Sequence, residues 1–181
     1  MTNYDSLLKS LYEDILAQYH HLCSTEHPFD LQIFKNESQA GRKYANMLHD
    51  MPNIRTGMAS KKAILEKIKN HQWKHSEDHF NSRQRGGEAI VKYIKKCFGA
   101  HKEPDFNYIK KIVDKHRQVH IVTKEENHKL SKIMEPGKSP EKAYEEGGVD
   151  LFEASELFGK RGRRTNEWKA KIRKHYAEIL K

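Results

Sequence analysis

VHIVTKEENHKL, residues 119–130, contains the sharpest change of pattern in this chain. Val119, Ile121 and Val122 are β-branched and make a short strand signal, and a helix signal follows directly. Thr123 can accept from the backbone three residues on while Glu126 reaches back to the Thr123 amide, a reciprocal capping box. The spacing predicts a strand over 119–122. It then predicts a helix carrying Asn127, His128, Leu130 and Ile133, ended by Pro136 and Gly137.

Most of the remaining chain reads as helix. Leu7, Leu8, Leu11, Tyr12, Ile15, Leu16, Tyr19 and Leu22 recur at helical spacing and predict a first helix from about Asp5 to Cys23. Ser38 to Leu48 reads as a second, MPNIRTGM (51–58) as a loop, and Ser60 as the cap of a third that ends near Asn70. HQWKHSEDHF (71–80) loses the helical period and reads as a short strand and turn. A helix through Ala89, Ile90, Tyr93, Ile94, Cys97 and Phe98 closes at Gly99. Pro104 opens another, with Phe106, Ile109, Ile112 and Val113 inward. Ser139 and Pro140 start a further helix. A last one spans about Thr165 to Leu180, with Trp168, Ile172, Tyr176 and Ile179 as its apolar stripe.

The 181 residues suit one domain or one domain with a small appendage. No run approaches the roughly 18 apolar residues a membrane span needs. The opening MTNYDSLLKSLYED carries acids where a secretory signal carries positive charge, so a cytoplasmic protein with no membrane partner is expected. Cys23 and Cys97 are too few for a disulfide framework and read as reduced, partly buried thiols. The net charge of +9 is uneven: −2 over residues 1–58, +4 over 59–158 and +7 over 159–181. Such a basic C-terminal block reads as an electrostatic footprint for a polyanion or, alternatively, as a solvated face that keeps the protein soluble.

EDHFNSRQRGG (77–87) is the stretch that could carry chemistry. Asp78 is a hard oxygen ligand of the kind Mg²⁺ takes. His79 titrates near neutral pH and could serve as a general base. Arg83 and Arg85 could hold phosphate oxygens, and Gly86 and Gly87 could let the backbone approach a nucleic acid closely. His75, His116 and His120 flank the two stretches and read as structural or solvent-facing.

DHFNSRQRGG, followed by VHIVTKEENHKL, resembles the two halves of an HNH, or ββα-metal, endonuclease motif. The resemblance spans residues 77–130. It implies Asp78 as a metal ligand, His79 as the general base, and Asn127 as the second ligand with His128 as the rival choice. Asn81 and Asn107 are both candidates for the residue that orients the base. The gap between the halves is longer than the family's and holds two helices. The implied reaction is hydrolysis of DNA phosphodiester bonds with Mg²⁺, or Mn²⁺, in a bacterial or phage-infected cell. The setting would be bacteriophage, homing or restriction.

The expected fold is mainly α with a small ββα-metal element, an α+β class. Residues 1–70 would form a helical scaffold, 71–135 the nuclease core with its helical insertion, and 136–181 a basic DNA-binding segment. Lys160, Arg161, Arg163, Arg164, Lys171 and Lys174 would contact phosphates there. A symmetric DNA site would favour a homodimer. Two other classes fit the same sequence: a non-catalytic basic helical nucleic-acid-binding regulator, and a protein–protein adaptor or inhibitor acting through the first helix.

Overall fold

The structure is a computed structural model that describes residues 3–70, 72–79, 81–134, 138–158 and 166–177, without the side chains of 166–169. It is mainly helical with a small four-stranded mixed sheet, in agreement with the α+β class. The chain begins with α1 (Asn3–Ser24), a 3₁₀ turn at Pro28–Asp30, α2 (Gln32–Lys35) and α3 (Glu37–Asp50). Then come β1 (Ile54–Ser60), α4 (Lys61–Lys69), β2 (Ser76–His79), α5 (Arg83–Gly99) and α6 (Phe106–His116). The chain continues through β3 (Gln118–Val122), α7 (Lys124–Ile133), α8 (Pro140–Gly147), β4 (Leu151–Glu153), α9 (Ser155–Phe158) and α10 (Asn166–His175).

The elements sort into two compact units, each built from two separate stretches of chain. One comprises residues 1–54 and 81–118, the other 55–80 and 119–181. The helices α5 and α6, which lie between β2 and β3 in sequence, thus fold with the N-terminal helices.

In the helical unit the apolar stripe of α1 packs through Leu8, Leu11, Ile15 and Leu22 on Tyr44 and Leu48 of α3, Ile90 and Ile94 of α5, and Ile109 and Val113 of α6. Phe106 was expected inward with Ile109 and Val113; it lies at the rim, 37% exposed, with its ring edge-on to Tyr12 at 5.1 Å. Of the two thiols, Cys97 is buried and Cys23 exposed.

Gly86 and Gly87 correct the sequence reading. They lie inside α5 with helical backbones, just after the Ser82 cap that accepts from the Arg85 amide. A Cβ on Gly87 would stand 2.1 Å from the Gly41 carbonyl oxygen of α3, and one on Gly86 2.6 Å from Leu48 Cδ1. The glycines serve a close crossing of α3 and α5, and their low helix propensity is offset by the contact it allows.

In the sheet unit the strand order is β2-β3-β1-β4. β1 runs antiparallel to β4, from Met58↔Glu153 to Ser60↔Leu151, and β2 antiparallel to β3, from Ser76↔Val122 to His79↔Val119. Ile121 joins a core with Ile64 and Ile68 of α4, Leu157 and Phe158 of α9, and Ile172 and Tyr176 at the C-terminal end. Val122, pointing the other way, packs with Leu130 of α7, Tyr144 of α8 and Val149.

MPNIRTGM was expected as a loop, yet its second half is strand β1. No alternation of apolar residues marks it. Its pairing on both sides makes it a strand, and Gly57, at φ +86°, places a carbonyl that accepts from the Ala154 amide at 2.8 Å.

One buried carboxylate joins the two strand-to-helix corners. Glu126 Oε2 accepts from the Thr123 amide at 2.9 Å and from the Ser60 hydroxyl at 2.5 Å. Thr123 caps α7 in the expected capping box, and Ser60 caps α4 by accepting from the Ala63 amide at 3.1 Å.

The glycine crossing yields a paired expectation. Gly87→Ala should lower stability by about 3 kcal/mol, since the new methyl meets backbone rather than a flexible side chain. Gly99→Ala, with nothing within 4 Å of its Cβ, should raise it by roughly 0.5 kcal/mol. Urea unfolding of both variants measures this, and equal midpoints would refute the crossing.

Candidate functional site

SEDH has weak strand propensity by itself. β2 exists because β3, rich in β-branched residues, offers it an edge, and the two pair from Ser76↔Val122 to His79↔Val119. That register sets Asp78 directly opposite His120, so both side chains project from one face. Ser76, two residues earlier, shares that face. Glu77 and His79 project from the other.

The helix that follows β3 returns to this strand. Asn127, in the first turn of α7, donates from Nδ2 to the Ser76 hydroxyl at 2.7 Å, joining residues 51 apart in sequence. His128 is exposed, whereas Asn127 is half-buried against β2. Of the two rival second ligands, only Asn127 is held on the Asp78 face.

Asp78 itself is shielded. Tyr144 of α8 donates its hydroxyl to Asp78 Oδ2 at 2.6 Å. Burial raises the Asp78 pKa above the ordinary carboxylate value, and the Tyr144 bond offsets part of that rise. Burial, with the negative charge of Asp78, pushes the Tyr144 phenol well above its usual range. The Tyr144 ring stands edge-on to His120 at 5.7 Å. His120 is 6% exposed with Nδ1 2.6 Å from the Thr56 hydroxyl, and burial lowers its pKa to about 4. It is a neutral imidazole at physiological pH, so it adds no cation beside Asp78.

Hard-oxygen chemistry fits this face. The Asp78 carboxylate and the Asn127 amide oxygen are the donor types that Mg²⁺ selects, and a site with few protein oxygens leaves room for water and phosphate. A cation would also favour the ionised form that burial disfavours at Asp78. Among the described residues no group of three or more His, Cys, Asp or Glu side chains is arranged to hold a metal, so a four-ligand zinc centre has no counterpart here.

The other expected residues are placed as follows. His79 is half-buried at the end of the edge strand, on the face opposite Asp78. Arg83 belongs to the helical unit, where Nη1 donates to the His49 carbonyl at 2.9 Å and Nη2 to Asn53 Oδ1, so its guanidinium ties the end of α3 to α5. Arg85 lies in the first turn of α5, also in the helical unit, as do Asn81 and Asn107. Lys171 and Lys174 are exposed on α10, beside the buried Ile172. Lys160, Arg161, Arg163 and Arg164 lie outside the described residues, as does the Trp168 side chain. His75 is next to Arg55 and Glu77, and His116 contacts the Ser82 carbonyl in the helical unit.

Sequence reasoning passed over Tyr144 and Ser76, which reach Asp78 and Asn127 only through the fold. It also passed over a net-basic groove of about 710 Å³ in the sheet unit, lined by Lys62, Lys69, Lys74 and Lys124 together with Glu66, Glu125 and Trp73. Lys62 and Lys69 are seven residues apart on α4, a spacing that puts them on one helix face and was readable in the sequence. Among the described residues no helix is long and apolar enough to cross a membrane. No family model matches the chain, and no match was found among curated proteins or solved structures.

The buried imidazole makes stability depend on pH. Unfolded His120 titrates near 6.5 and the folded residue near 4, so between these values the unfolded chain binds the extra proton. Its contribution is fully present above about pH 6.5 and is lost as pH falls toward 4. The stability advantage of wild type over His120→Gln should therefore shrink by about 1 kcal/mol per pH unit through that window. Urea unfolding of both proteins at neutral and acid pH reads this; a constant difference would mean that His120 titrates normally in the fold.

Proposed function

We propose that this protein is a metal-dependent endonuclease that hydrolyses DNA phosphodiester bonds, with its centre on the edge strand β2. The observation that carries the reading is the return of α7 to β2, which brings Asn127 to the face that holds Asp78. This strand–strand–helix order is the one the HNH resemblance implies, here with α5 and α6 lying between its halves in sequence.

Asp78 and Asn127 would hold Mg²⁺ through oxygen. Bound there, the cation would offset charge on the phosphate and on the leaving oxygen. Tyr144 positions the Asp78 carboxylate by donating to Oδ2, and Ser76 fixes the Asn127 amide so that its carbonyl oxygen is the donor left to a ligand. His79 would take the proton of the attacking water. His79 is the last residue of β2, and its side chain projects from the face opposite Asp78, so the register alone does not bring the two together. The basic groove beside Trp73 supports contact with the flanking backbone, as do Lys171 and Lys174.

The same groove favours a second reading, a nucleic-acid-binding protein without catalysis. Supercoiled plasmid separates the two. The nuclease reading expects nicking or linearisation with Mg²⁺ or Mn²⁺ and none with chelator. His79→Ala should slow cleavage about a hundredfold or more while binding persists, and Asn127→Ala should raise the metal concentration required. Plasmid retarded but uncut under every condition would reject the nuclease and favour the binder.

A further inference from the structure

The helical unit carries a groove of about 470 Å³ between α5 and α6, lined by no residue to which the HNH resemblance gives a role. Its walls are two lysine rows: Lys92 and Lys96 on α5, Lys111 and Lys115 on α6, all exposed. Within each row the lysines are four residues apart, one turn along a helix face, about 6 Å in rise. Among the described residues no carboxylate lines the groove. Lys92 has a long ion pair with Glu37 at 3.9 Å, and among the described residues Lys96, Lys111 and Lys115 make none. Like charges at this spacing repel one another, and facing rows double the effect. Each lysine could lower that repulsion only by binding an anion or by dispersing into solvent.

The floor argues for an anion that also has a flat apolar group. Tyr93 and Tyr108 stack at 4.2 Å and 27°, and Tyr108 remains 48% exposed. One ring face is thus backed by Tyr93 while much of the residue stays open to a ligand. Stacked aromatics between rows of cations are the recurring arrangement that holds single-stranded nucleic acid, with phosphates on the charges and a base on the ring. A base within a duplex cannot stack this way, because its faces are already covered.

We infer that the α5–α6 groove binds a single strand of nucleic acid, its phosphates on Lys92, Lys96, Lys111 and Lys115 and an unpaired base on Tyr108. This rests on the reading of the protein as one that acts on nucleic acid, but it does not require catalysis. It gives the helical unit a role in binding substrate beyond that of a scaffold.

The test is anisotropy of a fluorescein-labelled oligothymidylate bound to the full chain in chelator, so that cleavage plays no part, with a hairpin duplex in parallel. Tyr108→Ala should weaken the single strand about tenfold and the duplex much less. Lys96→Gln with Lys111→Gln should reduce the slope of log affinity against log salt by about 1.4, or 0.7 for each phosphate no longer neutralised. The corresponding double arginine variant should keep the slope, and all variants should melt with wild type. Wild-type affinity and slope in both the Tyr108 and glutamine variants would overturn the inference. So would displacement of the strand by polyglutamate as readily as by unlabelled oligothymidylate, which would point to an acidic protein partner. Plasmid nicking distinguishes the failures: cleavage with an inert groove leaves the nuclease reading intact, and strand binding without cleavage leaves the groove intact. Wild type that binds no nucleic acid overturns both.

Discussion

The sheet unit depends on the buried Glu126 carboxylate. A carboxylate 6% exposed is stable only where donors replace the water removed from it. Here one oxygen takes the Thr123 amide and the Ser60 hydroxyl, and those two residues cap the helices that leave β3 and β1. One acid thereby fixes the corners of two strand–helix junctions against each other. The first turn of α7, with Asn127 next to Glu126, inherits its position from that anchor, and so does the face on which Asn127 meets Ser76.

The same face combines groups whose environments oppose their charge. Asp78 is pushed toward its neutral acid form, His120 is held as a neutral base, and Tyr144 is kept protonated. The proposed centre puts a cation there because a cation would stabilise the ionised carboxylate that burial disfavours. Structural ion pairs elsewhere in the chain differ. Lys110–Asp114 on α6, for example, supplies its own counter-charge.

Much of this was written locally. The capping box at Thr123, the Ser60 and Ser139 caps and the apolar stripes of α1, α5 and α6 each depend on residues within a turn or two, and each is found where its pattern predicts, Phe106 of α6 excepted. What escaped depends on partners distant in sequence. The strand at Ile54–Ser60 has no period of its own and takes its form from β3 and β4. Gly86 and Gly87 look like a flexible turn until Gly41, over forty residues away, lies against them. Arg83 looks like a free phosphate ligand until the His49 carbonyl and Asn53 are seen to hold it. At the candidate site Asp78 and Asn127 stood out by residue type, whereas Tyr144 is one ordinary aromatic among eight tyrosines.

The interleaving of the two units also sets an order of assembly. Residues 55–80, including Asp78, are synthesised before the helical unit has its second stretch, and they belong with residues that follow it. Asp78 emerges 66 residues ahead of the hydroxyl it accepts from. At about 5–20 residues per second that is an interval of several seconds. The strand of Asp78 can pair with β3 once His120, 42 residues on, has emerged, but the acid lacks its Tyr144 donor until α8 follows. A nascent chain therefore carries the ingredients of the centre without its geometry, and premature termination before α8 yields a product in which Asp78 lacks the tyrosine that positions it.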